Sequence, residues 1–240
     1  MEPVKRYKKE GGYSYTLGPF PTFELLDTRP ELVQAVFCHP SFTDKAHLQA
    51  RCAALSLPCE ENAKQLARLS DKENCYVAAV FSKYQEALLP EKDHVVLVNP
   101  SDMGNLGTIL RTLAAFGLGD LALVEPCADP FHPKAVRASM GALFRTRVAR
   151  FPSFEDYRAQ YPQRDFFPFL LDGARSLTLA DCPASPRYSL IFGNESSGLP
   201  PAFSQVGQSI FIPQSNAVDS LNLSIAVALG GFAFTQRNPR

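Results

Sequence analysis

Short, nearly continuous apolar runs alternate along this chain with longer segments of helical spacing. Residues 31–81 read as a small α/β unit. ELVQAVFCHP (31–40) has the pattern of a strand running into a turn, and TDKAHLQARCAALS (43–56) has helical spacing with Thr43 or Asp44 as its cap. EENAKQLARLS (60–70) reads as a second helix and CYVAAVF (75–81) as a buried strand. SKYQEALLPEKD (82–93) then breaks the pattern with Pro90 and a cluster of charges. That break predicts a domain boundary, with domains over 1–90 and 91–240.

From residue 94 the alternation becomes regular. HVVLVNP, DLALVEP, FFPFLLDG, YSLIFGNE and SIFIPQ are apolar enough for buried strands. GNLGTILRTLAAFG (104–117) and DSLNLSIAVALGGFAF (219–234) read as helices. Continuous apolar strands alternating with helices predict a parallel sheet covered on both faces, an α/β domain. Ligands of such sheets sit beyond the carboxyl ends of the strands. The segments that follow four of these strands are NPSDMGN, DGA, GNESSG and IPQSNAVDS. Each combines Gly, Asn, Ser, Asp or Pro, so backbone can approach a ligand closely with polar side chains beside it.

Charge changes this picture only locally. The chain has 24 basic and 24 acidic residues and a formal net charge of zero, so bulk charge does not announce a nucleic-acid partner. Between Asp129 and Glu155, however, there is no acidic residue, while Lys134, Arg137, Arg145, Arg147 and Arg150 all fall there. Arg145 and Arg147 share parity on an expected strand. The opening KRYKK (5–9) is a second cluster. Such runs fit either a phosphate footprint or a solvated surface with acids supplied from elsewhere in the fold.

The six cysteines form no CxxC pair, so neither a zinc site nor a disulfide framework is expected. No apolar run reaches the roughly 18 residues of a membrane span. MEPVKRYKKEGG lacks the apolar core of a signal peptide, which predicts a cytoplasmic protein. There is no GxxxxGK[ST] and no GxGxxG, which removes the main support for a nucleotide hydrolase or a nicotinamide dehydrogenase. The four histidines, His39, His47, His94 and His132, lie outside the four strand-end loops.

Three segments taken in order, DMGNLGTILRT, IFGNESSGL and IPQSNAVDSLNLSIA, resemble the motifs of the SpoU/TrmH class of SPOUT RNA 2′-O-ribose methyltransferases. PKAVRASMGALF, between the first two, is also similar to family sequence, and the resemblance covers roughly residues 95–235. It implies S-adenosyl-L-methionine as methyl donor, a deep trefoil knot at the C-terminal end, and a homodimer with active sites near the subunit interface. A knot is something topology rules alone would reject. The resemblance also implies site residues. Gly193, Ile212 and Leu221 fall where the family holds the cofactor through backbone, and Gly173 and Asn194 join the rim. Arg111 matches the motif arginine, Asn105 begins the same helix, and Glu195 matches the second-motif glutamate that anchors Asn222 or Arg111. Ser220 and Asn222 direct polar groups from the last helix start toward the reacting atoms. Ser196 stands where the family often has Gly, which bears on local loop geometry.

Residues 1–90 are weakly similar to the small RNA-holding domain of many such enzymes. Structured RNA is therefore the expected partner, ribosomal RNA first and transfer RNA second, with Lys134, Arg137, Arg145 and Arg147 as phosphate contacts. A non-catalytic RNA-binding assembly factor of the same fold is the alternative. Retained Arg111, Glu195, Ser220 and Asn222 argue against it.

Overall fold

The computed structural model describes residues 4–70, 74–171, 177–215, 217 and 219–239. In chain order its elements are β1 (Tyr13–Tyr15), α1 (Pro19–Thr28), β2 (Val33–Cys38), α2 (Lys45–Ala54), β3 (Cys59–Glu61), α3 (Ala63–Leu69) and β4 (Val77–Ser82). These are followed by β5 (His94–Val98), α4 (Met103–Ala115), β6 (Asp120–Val124), α5 (Pro133–Ala138), β7 (Arg147–Phe151), α6 (Phe154–Gln160) and β8 (Asp165–Pro168). β9 (Leu177–Thr178), β10 (Tyr188–Phe192), β11 (Ile210–Phe211) and α7 (Leu223–Arg237) complete the set.

The chain forms two compact units. The first holds residues 1–84 together with Asp129–Arg145. Its sheet runs β1-β4-β2-β3, antiparallel except for the β2–β3 pair. Phe37, Val80 and Tyr15 from the sheet meet Leu66 and Leu69 of α3 in one core cluster. Residues 129–145 belong here, and not with the second unit as a boundary at 90 implied. The reason is packing. The Phe81 ring of β4 meets Phe131 at 6.3 Å and Phe144 at 5.1 Å, and Ser14 donates a hydrogen bond to the Phe131 carbonyl. Gly141, in the left-handed region at φ +88°, lies so close to α1 that a Cβ there would meet the Glu24 Cβ at 2.4 Å.

The second unit holds Gln85–Ala128 and Thr146–Arg240. Its five-stranded sheet runs β7-β6-β5-β10-β8, and every pair is parallel. This is the predicted α/β sheet. The chain adds β6 and β7 to one side of β5, then switches and places β10 between β5 and β8. Strands β5, β6 and β10 are buried along their whole length, which is why they read as unbroken apolar runs.

Three local expectations need correction. Glu60 and Glu61 are in β3 and do not begin a helix, because Asn62 caps α3 by accepting from the Gln65 amide. SIFIPQ yields only the two-residue β11, which pairs with β9 outside the main sheet. The last helix starts at Leu223, not Asp219, because the Asn222 side chain accepts from the Ser224 amide and fixes the first turn there.

Candidate functional site

An open cleft of about 750 Å³, counted to its solvent mouth, lies beyond the carboxyl ends of β8 and β10. Gly193 to Gly198 form one wall, Phe169 to Leu171 a second, and Ile212, Gln214, Ser220 and Leu221 a third. Phe192, Leu223 and Ala226 add apolar surface. Phe169 and Phe192 stack with ring centroids 4.2 Å apart. The cleft thus offers flat apolar surface next to loop backbone, at the point where the strand order switches sides.

The loop after β10 is built by its own backbone needs. Asn194 Oδ1 accepts from the amides of Ser196 and Ser197 at 2.9 and 3.2 Å. Its Nδ2 donates to the Asn99 carbonyl at 2.8 Å, tying this loop to the end of β5. A Cβ on Gly193 would sit 2.1 Å from the Gly198 carbonyl carbon. Gly193 is therefore required first by the loop's closure on itself, before any ligand is considered.

Glu195 is the hub of the site. Its Oε2 accepts from the Ser101 amide at 3.0 Å, the Ser101 hydroxyl at 2.9 Å and Asn194 Nδ2 at 3.4 Å. Its Oε1 accepts from the Asp102 amide at 3.1 Å and Asn105 Nδ2 at 3.4 Å. Burial pushes this carboxyl up, but the Ser101 and Asp102 amides favour its charged form, and the net position is below the usual carboxylate range. Asn105 Oδ1 in turn accepts from Asn222 Nδ2 at 3.1 Å, and Asn222 Oδ1 accepts from the Ser224 amide and hydroxyl. Hydrogen bonds thus run in one direction, from the start of α7 through the start of α4 to the carboxylate. The three separated motif segments meet here.

Of the anticipated residues, Gly193, Asn194, Glu195, Ile212, Ser220 and Leu221 line the cleft. Asn105 and Asn222 join it through Glu195. Gly173 lies outside the described residues. Glu195 anchors Asn222 indirectly, through Asn105. Arg111 is on the exposed face of α4, does not line the cleft and makes no hydrogen bond or ion pair with a described residue. Asn99, Ser101, Asp102 and Gln214 fall within the strand-end segments without having been named singly, and Phe169 was not anticipated. Asp102 had a usable signal, since an Asp three residues before Asn105 at a helix start is a capping pattern, and its side chain does accept from the Asn105 amide.

The basic run is not continuous in space. Arg145 closes a 3₁₀ turn and pairs with Glu24 at 2.6 Å, whereas Arg147 opens β7 and pairs with Asp120 at 2.6 Å. The two therefore do not share a strand, and they belong to different units. The acids absent from this stretch of sequence are supplied from elsewhere in the chain. Lys134 is exposed and Arg137 half-buried on α5.

Residues 92–232 match the sequence profile described as the SpoU rRNA Methylase family. A 23S rRNA (guanosine(2553)-2′-O)-methyltransferase RlmP from Bacillus subtilis (strain 168) is 30% identical over 156 residues, 64% of this chain and 62% of that protein. A ribosomal RNA small subunit methyltransferase G 2 from Syntrophobacter fumaroxidans is 36% identical over 141 residues, 59% of this chain but 27% of that protein. The chain therefore spans less than two thirds of each of these relatives. Among solved structures, an AdoMet-bound rRNA methyltransferase from Sinorhizobium meliloti superposes with a TM-score of 0.79 at 26% identity, covering 94% of this chain and 87% of that one.

Proposed function

The chain belongs to the SpoU rRNA Methylase family, and from that premise we propose that it transfers a methyl group from S-adenosyl-L-methionine to a ribose 2′-hydroxyl of structured RNA, ribosomal RNA first. The observation that carries this reading is the meeting of Asn105, Glu195 and Asn222 beside the cleft at the switch point of the sheet. The rRNA methyltransferase relatives above support RNA as substrate, and the AdoMet-bound structure supports the cofactor.

The cleft residues fit the cofactor. Loop backbone around Gly193, Ile212 and Leu221, with Asn194 on the rim, offers main-chain groups to an adenine, while Phe169, Phe192 and Leu223 supply apolar wall. When bound, S-adenosylmethionine supplies an electrophilic methyl on sulfur. The chain's own work is to align the hydroxyl and to stabilise its developing alkoxide. Arg111 is the family's arginine for that role. Guanidinium does not give up its proton, so Arg111 acts through charged hydrogen bonds to the hydroxyl or adjacent phosphate. Glu195 is not the proton acceptor, because five donors already occupy its two oxygens. Its role is to hold Asn105, and through it Asn222 and the neighbouring Ser220, in place.

Arg111 stands outside its own chain's cleft, which supports a homodimer in which a second copy presents it. Ile225, Leu229 and Phe232 are exposed at one-turn spacings along α7, an apolar stripe suited to that contact. The knot belongs to the same reading; insertion of β10 between β5 and β8, with α7 packed on α4, supports it. The first unit is read as the RNA-holding domain. No helix among the described residues is long and apolar enough to cross a membrane, consistent with action on ribosomal RNA in the cytoplasm.

The test is transfer of tritiated methyl from labelled S-adenosylmethionine to unmethylated ribosomal RNA transcripts, followed by mapping of the labelled ribose. Label at a 2′-oxygen is expected. With Arg111→Lys, which keeps charge and loses the planar fork, transfer should fall by at least about a hundredfold with cofactor affinity nearly unchanged. Label on transfer RNA alone would redirect the substrate. Cofactor binding without transfer to any RNA would leave the non-catalytic reading.

A further inference from the structure

The segment before β1 is polar and would be expected to fray, yet it is fastened almost residue by residue. Gln65 Nε2 donates to the Val4 carbonyl at 2.8 Å, the Lys5 amide donates to the Tyr13 hydroxyl at 3.2 Å, and Arg6 Nε donates to the Arg68 carbonyl at 3.1 Å. The Tyr7 amide donates to the Tyr15 hydroxyl, and the Tyr7 hydroxyl donates to Asp129. Lys83 Nζ sits 4.3 Å from the Tyr7 ring centre and donates to the Lys8 and Lys9 carbonyls at 3.3 and 2.9 Å. Apart from the Arg6 side chain, these anchors hold backbone or Tyr7. The side chains of Lys5, Arg6, Lys8 and Lys9 are left exposed.

Alongside lie Lys64 and Arg68, one turn apart on the exposed side of α3, brought there by the Gln65–Val4 and Arg68–Arg6 bonds. Lys5, Lys8, Lys9, Lys64 and Arg68 form no ion pair with a described residue, in contrast to Arg145 and Arg147. Glu10 is the one acid between residues 4 and 12. Lys8 and Lys9 enter a turn that the Gly11 amide closes on the Lys8 carbonyl at 3.0 Å. Cations whose backbone is already fixed lose little further chain freedom on binding.

We infer that this strip, Lys5, Lys8 and Lys9 flanked by Lys64 and Arg68, is the phosphate-contacting face of the first unit and grips RNA backbone without reading sequence. The inference rests on the RNA reading proposed above and replaces Arg145 and Arg147 as the principal contacts. Its test is the binding of unmethylated ribosomal RNA transcripts to the full-length, cofactor-free chain, followed by fluorescence anisotropy across a salt titration. Two variants are compared with the natural sequence: Lys5→Gln with Lys8→Gln and Lys9→Gln, and Lys64→Gln with Arg68→Gln. The triple variant should lower the magnitude of the log–log salt slope by about 2 and weaken binding on the order of 10²-fold near 0.1 M salt. The double variant should lower the slope by between about 1 and 2. Slopes parallel to the natural protein's would overturn the strip, including where the variants lose only binding to anionic lipid vesicles. Absence of RNA binding by the natural chain at any salt would overturn both the strip and the RNA reading, so the two failures are distinct.

Discussion

At the scale of single residues, the second unit holds a buried polar group far from the cleft that contributes to its response to acid. His94 opens β5 and is fully buried. Its Nε2–H donates to the Leu89 carbonyl at 2.9 Å, so in the neutral ring Nδ1 must accept from the Tyr157 hydroxyl, also at 2.9 Å. Burial, with Arg164 nearby, pushes the imidazole down to about 4. An unfolded histidine titrates near 6.5, so between these values the unfolded chain binds the extra proton and the folded chain does not. This contribution to stability is whole above about pH 6.5 and is lost as pH falls toward 4, at up to about 1.4 kcal/mol per pH unit and roughly 3 kcal/mol in all. Urea unfolding at pH 7, 5.5 and 4.5 for the natural protein and His94→Phe measures it. The variant should be weaker at pH 7 and should lose less on acidification. Equal losses in the two proteins would place the acid response elsewhere.

At the scale of elements, two adjacent glycines in α7 make opposite predictions. A Cβ on Gly230 would lie 2.6 Å from the tip of the Phe169 ring and 3.0 Å from that of Phe192, whereas one on Gly231 would meet only Phe116 and Leu118 side chains at 3.3 and 3.4 Å. Gly230→Ala should cost about 1–3 kcal/mol and, by driving Phe169 toward the cleft it lines, weaken cofactor binding. Gly231→Ala should be close to neutral, because a helix interior gains about 1 kcal/mol from losing a glycine. Thermal melting and cofactor calorimetry on both variants check this, and equal behaviour would refute it. The same helix shows what the sequence could and could not reveal. Its apolar run and polar start were legible, because burial and capping act over a few residues. Its true first residue was not, because Asn222 is committed to Ser224 and Asn105, the latter far away in sequence. The middle of the main sheet, β6, β5 and β10, was legible for the same local reason, since strands buried on both faces leave unbroken apolar runs, whereas half-exposed β7 leaves none. The segment holding Ser101 and Asp102 stands out in the sequence as a strand-end loop, but their particular role does not, since what gives it is a carboxylate at Glu195. For Arg145 and Arg147 the sequence left a phosphate footprint and an internally paired surface equally open, because their partners Glu24 and Asp120 come from other parts of the chain.

At the scale of the whole molecule, assembly and threading both matter. If Ile225, Leu229 and Phe232 seat a second copy, Leu229→Glu with Phe232→Glu should give a monomer in sedimentation experiments. Methyl transfer should fall with it, while cofactor binding, whose proposed walls lie within one chain, should be largely retained. A natural chain that sediments as a monomer would end the dimer reading. Threading is fixed by the return of Asp129–Arg145 to the first unit after β5, α4 and β6 have been made. A ribosome releases this protein from its amino end. When residue 84 emerges, the first unit still lacks Phe131, Phe144 and the Asp129 carboxylate that receives Tyr7. Synthesis of β5, α4 and β6 must come first, so the first unit can be completed only once residue 145 has emerged. Cutting the gene between the units would not yield two independent proteins, and a nascent chain paused once residue 100 has emerged from the ribosome should present the uncovered face of Phe81 to chaperones.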